Sequence, residues 1–573
     1  MNPCVDTSSS TGPAEPALAA SFGRRIGVAW CPSLALSLAQ RRALILGVAL
    51  VTGVFFRCFA LDATGFAVDE INKLRAAESY HRLDFTANAE HPMLMKLAAF
   101  ASFEAASRWN RVAARAGWRP VAPEAALRLP NALAGALTTV VIFLLAELFF
   151  GLRTAAWAAL LWAWDVNATA VSRISKEDTF LVLFLFVAAW LYQRGKQEGS
   201  RVGRGGSRWY ESSGAAFGLM LASKYMPHFY AIHAVFAQAS DPKPGANRPR
   251  KVRFYLAMGA AFLAANFALL LPASWRYLSA YAHEHMVTHT GYYFAHHLYP
   301  NLIETSPWGT PVWFYFAFLG TKVPLLVLLA FAVGVVQMVR NPGHRGFIFA
   351  RVFLVVFLLG YSLVSTKFLR YMLPLLVIID ILAAAGIVAL LGWVEALKLP
   401  RWKAAIATGA IVLAFAGSPL YAEISWAPYY SLHQNAVGSR LGPPGWMFPD
   451  DEFYDAGMRE AMEYVAGHAA PGAVVVSEVT SVVSEYAARF SRRDLASWAL
   501  SLQGLPMTGV ETWVLVQEGH IYYENAQMID QLRRCLTPVL VVPVGGSVGV
   551  QVFRIPAARS GESPRAASGR VSP

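Results

Sequence analysis

Asp69 and Glu70 stand side by side just beyond the first apolar run, and Glu90-His91-Pro92 and Lys96 follow after a short stretch. Carboxylates and an imidazole this close to a bilayer are acid and base groups, and the chemistry they suggest is proton transfer at a membrane face. Further charges sit beside other apolar runs: Ser172-Arg173-Ile174-Ser175-Lys176-Glu177-Asp178 between two of them, Lys224 inside an interrupted one, and Lys367 with Arg370 ahead of another. His283, His285, His289, His296 and His297 crowd one connection, and His285 and His289 would share a helical face at i, i+4, a spacing open to a metal ion. The string His283-Glu284-His285-Met286 does not form H-E-x-x-H, and a loop that gates the substrate is the favoured reading.

Each group also has a purely architectural reading. Asp69 is a good N-cap for an amphipathic helix from Glu70 to His81, and Pro92 suits the first turn of a helix. Arg173 to Asp178 could anchor a span at the interface, and Lys367 and Arg370 could snorkel to the headgroups.

The elements that position these groups follow from composition. With 573 residues, 56% hydrophobic and 15% charged, the chain is too apolar for a large soluble enzyme and reads as a polytopic α-helical membrane protein. The net charge of +13 comes from short Lys and Arg clusters between apolar runs, as at a cytoplasmic membrane face, which excludes nucleic acid as a partner. Cys4, Cys31, Cys58 and Cys535 show no metal-ligand spacing and predict no disulfide framework. Residues 1–40 and 558–573 read as disordered tails, the first cytoplasmic and without a clean signal peptide.

Apolar runs long enough to cross a bilayer lie near 42–61, 127–150, 154–171, 177–193, 254–272, 310–339, 347–365, 371–393 and 404–421. The basic clusters Arg24-Arg25 with Arg41-Arg42, Arg194 to Arg208, Lys243 to Arg253, Arg340 with Arg345, and Lys398 to Lys403 are assigned to the cytoplasm. Parity then requires the 212–239 run, broken at Ser223-Lys224-Tyr225-Met226-Pro227, to be two short helices with Lys224 at an outward tip. The result is about 11 transmembrane spans within 41–422, with external loops 62–126 and 273–309 and all the candidate groups on one face. From 423 to 557 the pattern turns soluble: helices near 452–468 and 522–535, and strands at 473–477, 513–517, 539–544 and 548–554, which make a small external α/β domain.

In chain order, Val68-Asp69-Glu70, Glu90-His91-Pro92-Met93-Leu94-Met95-Lys96, Arg173 to Asp178, and Lys367-Phe368-Leu369-Arg370-Tyr371-Met372-Leu373-Pro374 resemble known strings. They are similar to the D-E, D/E-H-P-P-L-x-K-L, R-x-x-x-x-D and K-x-x-R-Y-L-L-P strings of the GT-C membrane glycosyltransferases. Within these, the chain resembles the protein O-mannosyltransferase type (glycosyltransferase family 39) and the lipid A aminoarabinose transferase type. Met93 replaces the second proline, and Ser306-Pro307-Trp308-Gly309-Thr310-Pro311-Val312-Trp313 resembles the family's P-W-x-W-P segment. The resemblance implies an inverting enzyme of the inner membrane that moves a sugar, mannose first, from a polyprenyl phosphate carrier to a hydroxyl on a protein or an envelope glycan or lipid.

By the same resemblance Asp69 is the general base, and Glu70, Glu90, His91, Arg173 and Asp178 contact substrate. Lys367 and Arg370, with Lys224 behind them, hold the donor phosphate, whose growing charge requires fixed cations. No cofactor is required, and a divalent metal at His285 and His289 is the alternative. An aminoarabinose-type transfer to lipid A and a non-enzymatic flippase for lipid-linked sugars are the competing functions. The W-W-D signature of oligosaccharyltransferases is missing.

Overall fold

The computed structural model describes residues 37–202, 207–240, 251–283, 291–301, 308–506 and 509–557. Of the expected tails, 1–36 and 558–573 lie outside the described residues, and Leu38 to Gln40 are already helical. The chain divides into a unit ending at Leu44 and a unit from Ile45 onward. In the first, Ser37 and Gln40 open the Leu38–Cys58 helix with reciprocal bonds: Ser37 N to Gln40 Oε1 at 2.8 Å, and Gln40 N to Ser37 Oγ at 3.3 Å. All that follows concerns the second.

The apolar runs are helical because nothing in them satisfies backbone groups except the helix itself. Leu38–Cys58, Pro123–Phe150, Arg345–Ser362, Leu369–Ala396 and Arg401–Trp426 are each long and apolar enough to cross a membrane. Phe314–Lys322 and Leu325–Arg340 would add a sixth, but they meet at 119°. The 310–339 run is therefore broken rather than continuous, because Pro324 forces Val323 into an extended conformation. The 154–171 run is broken as well: Asp165 leaves the Leu152–Ala163 helix and caps Val166–Ser172, accepting from Asn167 N and Ala168 N at 2.9 and 3.1 Å. The 212–239 run is two helices, Ser207–Ser223 and His228–Ser240, joined through Lys224 to Pro227. The figure of about 11 spans requires these shorter helices to cross too.

Leu373–Ala396 is the axis of this bundle, buried on every side from Leu373 to Ile387. It lies against Leu325–Arg340 at the closest range two backbones allow: a Cβ on Gly386 would fall 1.9 Å from Ala330 O, and one on Gly334 1.9 Å from Leu382 O. Gly386→Ala should therefore push the helices apart and cost about 1–3 kcal/mol, which thermal unfolding in detergent would register as a lower midpoint. In Pro123–Phe150, Pro130 has no N–H for the carbonyl of Ala126, and Ser102 Oγ supplies the missing donor at 2.7 Å.

The C-terminal part is a five-stranded mixed sheet. Two strands of an earlier hairpin, β1 (Tyr292–Phe294) and β2 (His297–Tyr299), precede β3 (Val474–Val476), β4 (Ala496–Trp498), β5 (Thr512–Gln517), β6 (Leu540–Val544) and β7 (Ser547–Ile555). The order is β4-β3-β5-β7-β6, with β3 parallel to β4 and β5, and β7 antiparallel to β5 and β6. The Thr480–Arg489 helix and the three-residue β4 carry no clear periodicity and do not figure among the sequence expectations. The helix expected near 452–468 is two, Pro449–Phe453 and Met458–His468, separated by left-handed residues at Tyr454 (φ 45°), Asp455 (φ 60°) and Gly457 (φ 94°).

One hydrophobic core joins this sheet to the first loop. Phe66, Ile71 and Leu74 of the loop and Met95, Leu127 and Phe180 pack with Met458, Met462, Val482, Tyr486 and Trp513. The loop that carries the acid pair is thus clamped on a rigid layer, which is what a site held to sub-ångström tolerance needs.

Candidate active site

The Val68–His81 helix carries both carboxylates in its first turn. Its N-cap is Ala67, so Asp69 does not cap it; instead Glu70, at the third helical position, turns back to accept from Ala67 N at 3.1 Å. A step of about 100° per residue sends the two carboxylates to different places. Glu70 is fully buried in a fork with Arg128, whose Nε and Nη2 donate at 2.8 and 2.6 Å, and it also accepts from Ser175 N at 3.0 Å. Arg128 spends its remaining donors on the carbonyls of Leu61 (2.8 Å), Thr64 (2.9 Å) and Gly65 (2.6 Å). Glu70 therefore builds the loop and offers nothing to a substrate.

Asp69 retains 30% of its side-chain exposure and accepts from Lys176 Nζ at 2.7 Å and from the Tyr454 hydroxyl at 3.0 Å. Burial by itself would raise its pKa, but Lys176 and Arg370, with Lys73 behind, hold the carboxyl far below the usual range. Lys176 responds in kind: burial lowers its pKa, and Asp69 and Glu177 more than reverse that. Its backbone is pinned, because Asn131 Nδ2 donates to Lys176 O and Ser175 N is held by Glu70.

Glu90 and His91 lie one layer out. Lys73 bridges Glu177 (2.5 Å) and Asn88 Oδ1 (2.6 Å), and Asn88 donates in turn to Glu90, whose Oε2 is buried without a partner among the described residues. His91 Nδ1 is 3.5 Å from Glu177 Oε1, and burial pushes the imidazole pKa down to about 3, so it is neutral. Lys96 sews the loop together by donating to the carbonyls of Asn88 and His91 (2.9 Å for the latter); burial takes its pKa down to about 7.

The expected phosphate cations differ sharply in what they have left to give. Lys367 donates to the carbonyls of Trp308, Thr310 and Val364 at 2.7, 2.7 and 2.6 Å, which occupies all three ammonium protons. Lys224 is paired with Asp178 at 2.8 Å and lies 4.8 Å from the centre of the Tyr371 ring. Arg370 stacks on Phe368 at 4.0 Å and reaches Asp451 only at 4.0 Å, and its Nε is buried without a partner among the described residues. Arg173, expected at the substrate, instead caps the end of Leu38–Cys58, donating to the carbonyls of Phe56 (3.3 Å), Arg57 (3.2 Å) and Ala60 (2.8 Å), and lies over Tyr430.

The segment Asp450 to Asp455 brings the C-terminal part into the site. Tyr454 reaches Asp69, Asp451 faces Arg370 and accepts from the Tyr292 hydroxyl at 2.5 Å, and Glu452 forms a buried ion pair with Lys322. Asp455 Oδ2 accepts from Val68 N at 2.8 Å, and its Oδ1 accepts from Gln517 Nε2 at 2.9 Å and pairs with His520 Nε2 at 2.6 Å. A cavity of about 40 Å³ beneath Arg370 is lined also by Lys322, Asp451, Tyr454 and Asn167. Two successive left-handed non-glycine residues cost of order 1–3 kcal/mol each, and such strain is retained where the surroundings fix it. The sequence signal for this segment is its four carboxylates within six residues just past the last span. For Lys176 it is the string that already held Arg173 and Asp178, and for Arg128 a lone cation at the mouth of an apolar run.

His520 sets a pH dependence. Burial would lower its pKa, but Asp455 and then Asp450 raise it to about 9. Against an ordinary value of about 6.5, its contribution is complete below that pH and disappears as pH rises through about 9. Docking of the Asp450 to Asp455 segment, followed by proteolysis or hydrogen exchange, should loosen over this window, and His520→Gln should flatten the profile.

The histidine-rich connection supplies no metal centre among the described residues, where no group of three or more His, Cys, Asp or Glu is placed to hold an ion. His283 Nδ1 is 2.6 Å from Ser279 O, His296 lies beside Trp446 and His297 beside Tyr299. His285 and His289 lie outside the described residues.

Residues 121–275 match the family model for dolichyl-phosphate-mannose-protein mannosyltransferase, a stretch that holds Arg128, Arg173, Lys176, Asp178 and Lys224 but neither Asp69 nor Arg370. The apo crystal structure of ArnT from Cupriavidus metallidurans is similar over 90% of this chain and 98% of that one, at 14% identity and a TM-score of 0.50. The same protein bound to undecaprenyl phosphate gives 16% identity, the same 90% and 98%, and a TM-score of 0.48. The Archaeoglobus fulgidus oligosaccharyltransferase AglB, in complex with an inhibitory peptide and a dolichol-phosphate, gives 11% identity over 80% of this chain and 64% of that one, with a TM-score of 0.45. No curated protein matches the sequence significantly. The chain has the fold of ArnT and resembles the GT-C superfamily.

Proposed function

We propose that the protein is an inverting glycosyltransferase of the GT-C type that takes a sugar, mannose first, from a polyprenyl phosphate carrier. The acceptor is a hydroxyl on a protein or an envelope glycan or lipid, and the reaction takes place at the external face of the inner membrane, with the N-terminus inside. The observation that carries this reading is a single part-exposed carboxylate, Asp69, bonded to Lys176 and within electrostatic reach of Arg370. That combination, a proton acceptor beside cations, is what displacement of a phosphate by an alcohol demands. The match of residues 121–275 to the mannosyltransferase family model supports the donor class, as does the structure of ArnT with undecaprenyl phosphate.

The acceptor oxygen attacks the anomeric carbon on the face opposite the phosphate, and its proton passes to Asp69. The bond from the anomeric carbon to the phosphate oxygen breaks, and the electron pair leaves with polyprenyl phosphate, whose new charge Lys176 and Arg370 stabilise. Lys367 and Arg173 enter as clamps of the surrounding backbone, and Lys224 with Asp178 as a fixed pair at the edge. Glu90 and His91 line the approach. The reaction needs no metal, and loss of transfer on chelation would correct that.

Purified protein should release polyprenyl phosphate from one member of a panel of polyprenyl phosphate sugars and glycosylate an envelope acceptor, as read by mass spectrometry. Transport of an intact lipid-linked sugar across vesicles, with no cleavage of any donor, would overturn the enzyme in favour of a flippase. A second reading, aminoarabinose-type transfer to lipid A, is favoured by the match over 98% of the ArnT chain. Turnover of an amino sugar donor alone would select it.

A further inference from the structure

Resting on the donor class proposed above, we propose that Lys176 couples donor binding to acceptor activation. Its ammonium is held by Asp69; the donor phosphate takes it over together with Arg370, and Asp69 is released to the acceptor hydroxyl. The order of binding, donor before acceptor, is then built into one ion pair.

Three observations lead there. First, the cations around the site are committed elsewhere: Lys367 to three carbonyls, Lys224 to Asp178, Lys322 to Glu452 and Arg128 to Glu70. Arg370, with a long contact to Asp451 and an unpartnered Nε, is uncommitted among the described residues, and Lys176 has Asp69 as its ion-pair partner. Second, the other carboxylate that acts on Lys176, Glu177, is in direct contact with Lys73 at 2.5 Å, so Asp69 is the anion the Lys176 ammonium touches. Third, the Lys176 backbone is fixed on both sides while its side chain is a flexible four-carbon stem, so the ammonium can change partner without moving the loop.

A carboxylate tied to a lysine is a poor proton acceptor, and one whose lysine has been drawn to a phosphate is a better one. The arrangement thus withholds the base until a donor is present. The charged and titratable groups facing Asp69 are Lys176 from its loop, Arg370 from the segment before Leu373, Lys73 from its own helix, Tyr281 from the Pro272–His283 helix and Tyr454 from the C-terminal part. Of these, Lys176 makes the shortest contact.

The test is a pair of pH–rate profiles for sugar transfer, one with donor saturating and one with donor far below its KM, on the full-length enzyme and on Lys176→Met and Lys176→Arg. In the wild type the acid limb should lie at higher pH when donor is saturating. In Lys176→Met the two limbs should coincide and the donor KM should rise about tenfold, the loss of one charge-assisted contact; Lys176→Arg should restore the gap in part. Wild-type limbs that coincide, or a Lys176→Met enzyme with an unchanged gap and donor KM, would overturn the coupling and leave Lys176 as a structural partner of Asp69. Failure of the wild type to use any polyprenyl phosphate sugar would instead overturn the donor class. Should Lys176→Met fail to fold, the wild-type profiles and Lys176→Arg still decide.

Discussion

Asp69→Asn is expected to fold, to bind donor and to transfer almost no sugar, with a loss of about 100-fold to 10,000-fold. The amide keeps the shape of the carboxylate and can still accept the Tyr454 hydroxyl, now 3.0 Å away. What it loses is the ability to take a proton and the negative charge opposite Lys176. An unpaired lysine in a buried site is costly, and a polyprenyl phosphate would replace the missing anion. The variant should therefore gain more thermal stability from undecaprenyl phosphate than the wild type does, by ordinary ligand linkage. Near-normal transfer by Asp69→Asn would remove the base from this position.

The neighbouring carboxylate should fail in the opposite way. Arg128→Met leaves Glu70 ionised and buried with no counter-charge, which costs about 3–5 kcal/mol, and thermal unfolding in detergent should show it before any assay of transfer does. Arg128→Lys is no remedy, because an ammonium cannot serve both oxygens of Glu70 and the carbonyls of Leu61, Thr64 and Gly65 at once. Adjacent residues thus separate cleanly: substitution at Asp69 should abolish chemistry in a folded protein, and disruption at Glu70 should unfold the loop that presents Asp69. An Arg128→Met protein as stable as the wild type would show that the fork is dispensable.

Much of this was legible in the sequence because it is local. Apolar runs declare helices through their length, and the helical step alone requires Asp69 and Glu70 to diverge. The breaks at Asp165 and Pro324 were less visible, since a single residue decides them inside runs whose average composition is that of a continuous span. Partner choice was the least visible of all. Asp178 stands five residues from Arg173, yet its partner is Lys224, and the three protons of Lys367 go to carbonyls whose positions only the folded chain fixes. The Phe448 to Asp455 string stands out in the sequence, yet by itself gives Tyr454 and Asp455 no catalytic role, for the same reason: their value lies in backbone angles and contacts that no local pattern encodes.

The Tyr454 contact to Asp69 joins residues 385 positions apart, and Asp455 reaches Val68 across 387. A ribosome makes the acid pair early and the tyrosine late. A chain halted just after Trp426 would already carry Asp69, Lys176 and Arg370, with Glu70 capping the Val68–His81 helix, yet Val68 N would lack Asp455 and Asp69 would lack the Tyr454 hydroxyl. The first external contact of the acid pair with the Asp450 to Asp455 segment is thus a late event in synthesis, made only after every membrane-length helix has been translated.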